Sequence, residues 1–368
     1  MKVVTVLGAR PQFIKAAPVS VALRSAGISE ILVHTGQHYD TNMSDIFFRE
    51  LGLPVPAYSL EVGSGSHVYQ VSEGMKRLEP VLQTEKPDLV LVYGDTNATF
   101  TGAFVANALQ IPIAHVEAGL RSFNRAMPEE TNRILTDQLS TWCLAPMPTA
   151  MRHLEHDGLA ERAYLVGDVM LDALLQFQVR AAEQYPDFWK NHQLQSKQYS
   201  LLTMHRAETT ASPEKAMALL KVLDAQGEPI LFPVHPRTKA LVEAAGPFKN
   251  IRCVEPLGYL EMLLAEQGAS RIMTDSGGVQ KEAAMLGVPC ITMRTETEWV
   301  ETLEMGLNVL VGLSTEALRT ALQVQGESRP HADLSTVRQY FGNGQASQNI
   351  VQVLQSAPEL QAQPILVH

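Results

Sequence analysis

In the first half of the chain, acidic side chains stand where short apolar runs end. Asp95 follows Leu89–Tyr93 in Gly94-Asp95-Thr96-Asn97. Glu117 follows Ile113–Val116 in His115-Val116-Glu117-Ala118-Gly119-Leu120-Arg121. Glu129 and Glu130 follow Pro128 at a predicted helix start. Carboxylates placed after neighbouring parallel strands converge on one crevice. Their mutual repulsion is expected to raise at least one pKa toward the range of a general acid or base. N-capping or helix-dipole pairing is the ordinary alternative for Asp95 and for Glu129. Glu117, set among small and apolar residues, is harder to explain that way. Arg121, Arg125 and Arg133 are available to neutralise part of the cluster.

The complementary groups are donors. Strand one ends in Gly8-Ala9-Arg10-Pro11-Gln12-Phe13-Ile14-Lys15, with Pro11 suited to a helix opening. Arg10 and Lys15 can reach an anion at that helix start, or remain solvated cations. The stretch lacks both GxGxxG and GxxxxGK[ST], which excludes the standard dinucleotide and P-loop readings. In the second half, Thr274-Asp275-Ser276-Gly277-Gly278-Val279-Gln280-Lys281-Glu282 follows an apolar run and opens a helix. Gly277 and Gly278 let a diphosphate approach the backbone, and Ser276 adds a hydroxyl. Glu282 falls within the first two turns, where a carboxylate can hold ribose hydroxyls or simply face solvent. His205-Arg206 and His235-Pro236-Arg237 also end predicted strands, and such pairs suit phosphate neutralisation or proton transfer.

The elements that must hold these residues are legible as alternating strands and helices. Residues 3–7, 31–34, 89–93, 113–116 and 142–145 read as buried strands, and 163–166 as a connecting strand. Residues 199–204, 230–234, 251–254, 271–274 and 290–293 repeat the pattern. Uniformly apolar runs this short predict parallel sheets covered on both faces. The expectation is an α/β chain of two doubly wound domains, 1–167 and 168–346, with the boundary near Gly167-Asp168. Residues 347–368 carry helical spacing at Ile350, Val353 and Leu354, and that segment is expected to pack back on one of the domains.

Composition narrows the function classes. The 368 residues exceed one ordinary core, and 45% hydrophobic with 18% charged residues is a globular balance. A net charge of −10 without a basic run argues against nucleic acid as a partner. Cys143, Cys253 and Cys290 show no metal spacing and read as small buried hydrophobes in a reducing compartment. The start MKVVTVLGAR reads as a strand rather than a leader, and no run is long enough to span a bilayer. Together these features predict a cytoplasmic protein.

Taken in order, GARPQFIKAAP, TGQHYD, YGDTNAT, HVEAGLRS, MPEETNR, GDVMLD, MHRAET, PVHPR, TDSGGVQKEA and GVPCITMR resemble the non-hydrolysing UDP-N-acetylglucosamine 2-epimerase family, from residue 8 to residue 294. The resemblance implies two Rossmann-like domains facing a cleft, of glycosyltransferase-B type, often in a homodimer. It implies inversion at C2 of a UDP-sugar by elimination and re-addition of UDP through 2-acetamidoglucal, with no metal or redox cofactor. By the same resemblance, Asp95, Glu117 and Glu129 are acid/base candidates. His205 joins them as a catalytic active-site residue that meets the diphosphate or the leaving oxygen, Arg206 binds the UDP, and Arg10 and Lys15 approach the nucleotide. Ser276, Gly277 and Gly278 contact phosphate, and Glu282 contacts ribose. The segment Thr297-Glu298-Trp299-Val300-Glu301 departs from the family's Thr-Glu-Arg-Pro-Glu pattern. With Arg125 in the approach to the acidic turn, this points toward relatives acting on a UDP-2,3-diacetamido-glucuronate. A hydrolysing 2-epimerase, a glycosyltransferase of the same fold and a nucleotide-sugar sensor are the other readings.

Overall fold

The computed structural model describes residues 1–36, 48, 50–327 and 334–356. Residues 37–40 of the TGQHYD stretch, and residues 357–368 of the expected tail helix, lie outside the described residues. The chain divides into two compact units, Met1–Ala173 with the chain from Phe341 onward, and Leu174–Tyr340.

The first unit holds seven strands: β1 (Lys2–Leu7), β2 (Ser29–His34), β3 (Tyr58–Ser59), β4 (Leu89–Tyr93), β5 (Ile113–Val116), β6 (Trp142–Ala145) and β7 (Ala163–Leu165). They lie in the order β3-β2-β1-β4-β5-β6-β7. Every pairing is parallel, with Val4 opposite Val90 and Val90 opposite Ile113. Val4, Val6, Val90, Val92 and Ile113 are buried with Leu78 and Leu82 of the helix His67–Glu85. This two-sided burial is why β4 and β5 read as unbroken apolar runs rather than as alternation. The helix Asn97–Ala108 packs close to the sheet, because a Cβ on Gly102 would come within 2.8 Å of Val92 Cγ1.

The second unit repeats the plan with β8 (Ser200–Thr203), β9 (Ile230–Pro233), β10 (Ile251–Val254), β11 (Arg271–Thr274), β12 (Cys290–Thr292) and β13 (Asn308–Leu310). Its order is β10-β9-β8-β11-β12-β13, again all parallel. In each sheet the chain builds outward from its first strand, then returns to that strand's other side. The reversal falls between β1 and β4, and between β8 and β11. At such a reversal the connecting loops diverge and leave a crevice beyond the strands' carboxyl ends.

Two strands escaped the sequence reading. β3 has a half-exposed Tyr58 and an exposed Ser59, and β13 has an exposed Val309 on a sheet edge, so neither shows an apolar run. Cys253 corrects the expectation of three buried cysteines. It is exposed, because β10 closes the edge of its sheet, whereas Cys143 and Cys290 are buried. Among the described residues no helix is long and apolar enough to cross a membrane.

The helix Ala346–Ser356 packs on the helix Arg10–Ser25, which returns the late chain to the first unit. Its start is held by Asp172, whose buried carboxylate accepts the Ala346 N–H at 3.0 Å, the Ser347 N–H at 2.7 Å and the Ser347 hydroxyl at 2.7 Å. Asp172→Ala leaves these three donors without their acceptor. A loss of about 1–3 kcal/mol in unfolding free energy is expected, measured as a lower urea midpoint with an unchanged slope.

Candidate active site

In the first unit the β1 and β4 ends are tied together by Gln12. Its Oε1 accepts the Gly8 and Ala9 N–H groups at 2.7 and 3.0 Å, and its amide donates to Tyr93 O at 2.8 Å and Thr99 Oγ1 at 3.0 Å. Nothing in the sequence reading singled out Gln12. Its signal was a polar residue inside the helix opening Arg10-Pro11-Gln12-Phe13-Ile14, directly before an apolar pair. Arg10 is exposed as the first residue of that helix, and Lys15, just over one turn later, forms an ion pair with Glu117. Glu117 is buried and sits at φ 70°, with its N–H donating to Leu144 O at 3.1 Å. A non-glycine residue in the left-handed region carries roughly 1–3 kcal/mol of strain, and such strain clusters at functional sites. Gly94, at φ 64°, lies beside this pair. A Cβ there would be 3.4 Å from Glu117 Oε2 and 3.5 Å from Lys15 Nζ.

Asp95 is ion-paired to Arg133, and Asn132 Nδ2 donates to Asp95 O at 2.9 Å. Arg133 also reaches Glu130 at 3.0 Å. The carboxylate of Glu130 is buried and accepts the Ser122 N–H, the Ser122 hydroxyl and the Phe123 N–H, at 2.8 to 2.9 Å. Burial works against its ionisation. The Ser122 donors, the Arg133 charge and the Phe123 N–H outweigh that and hold its pKa below the usual carboxylate range. Glu130 is therefore not a carboxylate whose pKa mutual repulsion raises, because cations and N–H donors surround it. Glu129 is exposed in the first turn of the helix Pro128–Leu139. Adjacent helix positions point about 100° apart, so one of the two glutamates turns inward to organise the loop and the other stays accessible. Arg121 pairs with Asp137 and Asp157 rather than with the cluster, and Arg125 is exposed.

In the second unit the anchor is Asp275, fully buried just past β11. Its carboxylate accepts the His205 N–H at 2.9 and 3.0 Å, the Arg206 N–H at 2.9 Å and the Thr209 hydroxyl at 2.8 Å, and lies 3.3 Å from His205 Nδ1. Burial disfavours the charge, but the His205 side chain and the two backbone donors overcome it and depress the pKa. Asp275 thus fixes the post-β8 residues His205 and Arg206 against the post-β11 turn. As a letter in Thr274-Asp275-Ser276-Gly277-Gly278, Asp275 shows none of these bonds. Its position directly after a strand and before Ser-Gly-Gly was the available signal.

The Ser276 N–H donates to Thr274 Oγ1 at 2.9 Å, and its hydroxyl does not cap the helix Gly277–Met285. That helix start favours an anion through its amide donors and dipole, with the Arg206 and Arg294 guanidinium groups nearby. Glu298 lies against it: a Cβ on Gly277 would fall 2.3 Å from Glu298 Oε1. Arg294 holds Glu298 at 3.0 Å, and Arg206 Nη2 lies 3.9 Å away. Glu282 is buried in the second turn, where burial first and its charge second push the Tyr259 hydroxyl up. Trp299 is buried, with Lys281 Nζ 4.3 Å from its ring centroid, a cation–π contact.

Two parallel doubly wound units, each with charged groups gathered past its strand ends, make an α/β fold of the glycosyltransferase-B type. The solved glycosyltransferase SnogD of Streptomyces nogalater shares the fold, with a TM-score of 0.64 over 97% of this chain and 99% of its own at 15% identity. The chain belongs to the UDP-N-acetylglucosamine 2-epimerase family, whose model matches residues 22–355. It is 46% identical to a UDP-N-acetylglucosamine 2-epimerase homolog of Methanococcus maripaludis, over 97% of this chain and 100% of that one. It is 44% identical to the UDP-2,3-diacetamido-2,3-dideoxy-D-glucuronate 2-epimerase of Pseudomonas aeruginosa, over 96% and 99%. The crystal structure of Methanocaldococcus jannaschii UDP-GlcNAc 2-epimerase in complex with UDP-GlcNAc and UDP superposes with a TM-score of 0.87 at 41% identity, covering 97% of this chain and all of that one.

The depressed pKa of Asp275 fixes a pH dependence. A carboxylate whose folded pKa lies below its ordinary 3.8 contributes stability above that value and loses it as the pH falls through the folded pKa. Asp275→Asn is expected to be about 1–3 kcal/mol less stable at neutral pH. Its stability should also fall less steeply than the parent's below about pH 4, as read from urea midpoints against pH.

Proposed function

We propose that this protein interconverts UDP-N-acetylglucosamine and UDP-N-acetylmannosamine by inverting the sugar at C2. One observation carries the reading. Asp95 and Glu117 gather at the strand ends of one sheet, and His205, Arg206 and Ser276-Gly277-Gly278 gather around Asp275 in the other. The first group suits proton transfer and the second suits a diphosphate. The family relatives named for this activity support the same reaction.

In the reaction, the C2–H electron pair becomes the C1=C2 bond of 2-acetamidoglucal as the C1–O pair departs with UDP. Departure leads or accompanies proton loss, because the C2 hydrogen is weakly acidic and a stabilised leaving group lowers the barrier. The proton returns to the opposite face of C2, and UDP re-adds at C1. Asp95, Glu117 and Glu129 are the acid/base candidates. His205, Arg206 and the Ser276–Gly278 amides receive the diphosphate, Glu282 the ribose hydroxyls, and Arg10 with Lys15 the nucleotide. The sequence is redox-neutral and consumes no cofactor. We assign the protein to the cytoplasm as a homodimer supplying precursors of cell-surface polysaccharide.

A second substrate, UDP-2,3-diacetamido-2,3-dideoxyglucuronate, is favoured by the Pseudomonas relative and by Arg125, an exposed cation available to a sugar carboxylate. Incubation in deuterated water discriminates between the two. Deuterium at C2 of UDP-GlcNAc, with UDP-ManNAc formed, is expected. Exchange only with the diacetamido-uronate transfers the assignment to that sugar, and release of free sugar and UDP refutes both. Glu117→Gln is expected to lower the exchange rate about 10²- to 10⁴-fold while UDP affinity, read by calorimetry, changes little.

A further inference from the structure

His115 lies wholly buried in β5, two residues before Glu117. Its Nε2 is 2.7 Å from the Gly94 carbonyl oxygen, and its Nδ1 is 2.7 Å from Asp137 Oδ1. A neutral imidazole has one N–H and one lone pair. With a carbonyl on one side and a carboxylate on the other, that lone pair would face another at hydrogen-bond distance. The other oxygen of Asp137 takes the Arg121 guanidinium at 2.7 Å and the Gly119 N–H at 3.1 Å. These donors favour an ionised Asp137, which then accepts from His115 rather than donating to it. Arg121 continues to Asp157 at 2.7 Å.

We infer that His115 is an imidazolium with hydrogen on both ring nitrogens, and that it is a positioning residue for the carboxylates at the strand ends. Its Nε2–H holds the Gly94 carbonyl toward the core. In a trans peptide the N–H points opposite to the C=O, so this contact turns the Asp95 N–H away from the core and fixes the backbone on which Asp95 sits. Gly94 is also the residue against which Glu117 and Lys15 pack. One buried cation therefore sets the height of both acidic groups. The network touches no reacting atom, and its kinetic consequence rests on the proposed epimerase reading, whereas the protonation state does not.

Neutron diffraction from the perdeuterated full-length protein near neutral pH reads the protonation directly. Deuterons on both His115 nitrogens are expected. A single deuteron on His115, with or without one on Asp137, overturns the inference whether or not the protein turns over any UDP-sugar. Positioning is tested by the two partial mimics. His115→Gln retains an amide N–H toward Gly94, and His115→Asn retains only the contact toward Asp137. His115→Asn is expected to lose roughly 10²-fold in kcat, the scale set by small misplacements of reacting groups. KM should stay within about twofold of the parent, because an interaction realised in the transition state is being removed. His115→Gln should recover most of that loss. Parent-like kcat in His115→Asn, or Gln no better than Asn, refutes the positioning role. If His115→Asn does not fold, kcat and KM of His115→Gln decide alone: a loss of more than about tenfold in kcat, despite the retained Gly94 contact, counts against it.

Discussion

Both sheets are built only from parallel pairings, and that constraint organises the rest of the molecule. A parallel strand can reach its neighbour only through a crossover, so helices must cover both faces and every strand ends on the same edge. The apolar content of the strands is thereby committed to the core, and chemistry is confined to the residues just past each strand. The two reversals, β1 to β4 and β8 to β11, then select which of those residues share a crevice. Asp95 and Glu117 in one unit, and His205 with Asp275 in the other, occupy those places because of topology. They are not brought there by mutual affinity.

The charges so gathered do not stand alone. Lys15 answers Glu117, Arg133 answers Asp95 and Glu130, and Asp275 answers His205. Removing one member of a buried pair costs more than the pair contributes, because the survivor is left uncompensated. Glu117 and Asp95 are consequently held by cationic partners before any ligand arrives, which is the condition for electrostatic catalysis without reorganisation.

Much of this was legible in the chain. β4, β5, β6 and β11 read correctly to the residue because their short runs are buried on both faces, and β10, an exposed edge strand, because turn residues bound it. The strand-end motifs read correctly as places. What the sequence withheld was partnership. Glu129 and Glu130 are indistinguishable as letters, and only helix phase shows that Glu130 turns inward. Gln12 and Asp275 act through bonds to residues 81 and 70 positions away, which no local pattern encodes. β3 and β13 are too short and too exposed for periodicity to reveal.

The left-handed backbone at Glu117 sets stability against function. Glycine or asparagine would occupy φ 70° with less strain than glutamate does. A search for thermostable variants that scored folding alone would therefore be drawn to exchange this residue, trading the buried carboxylate for a more relaxed chain. Its persistence in a working protein would mark selection for activity against the preference of the backbone.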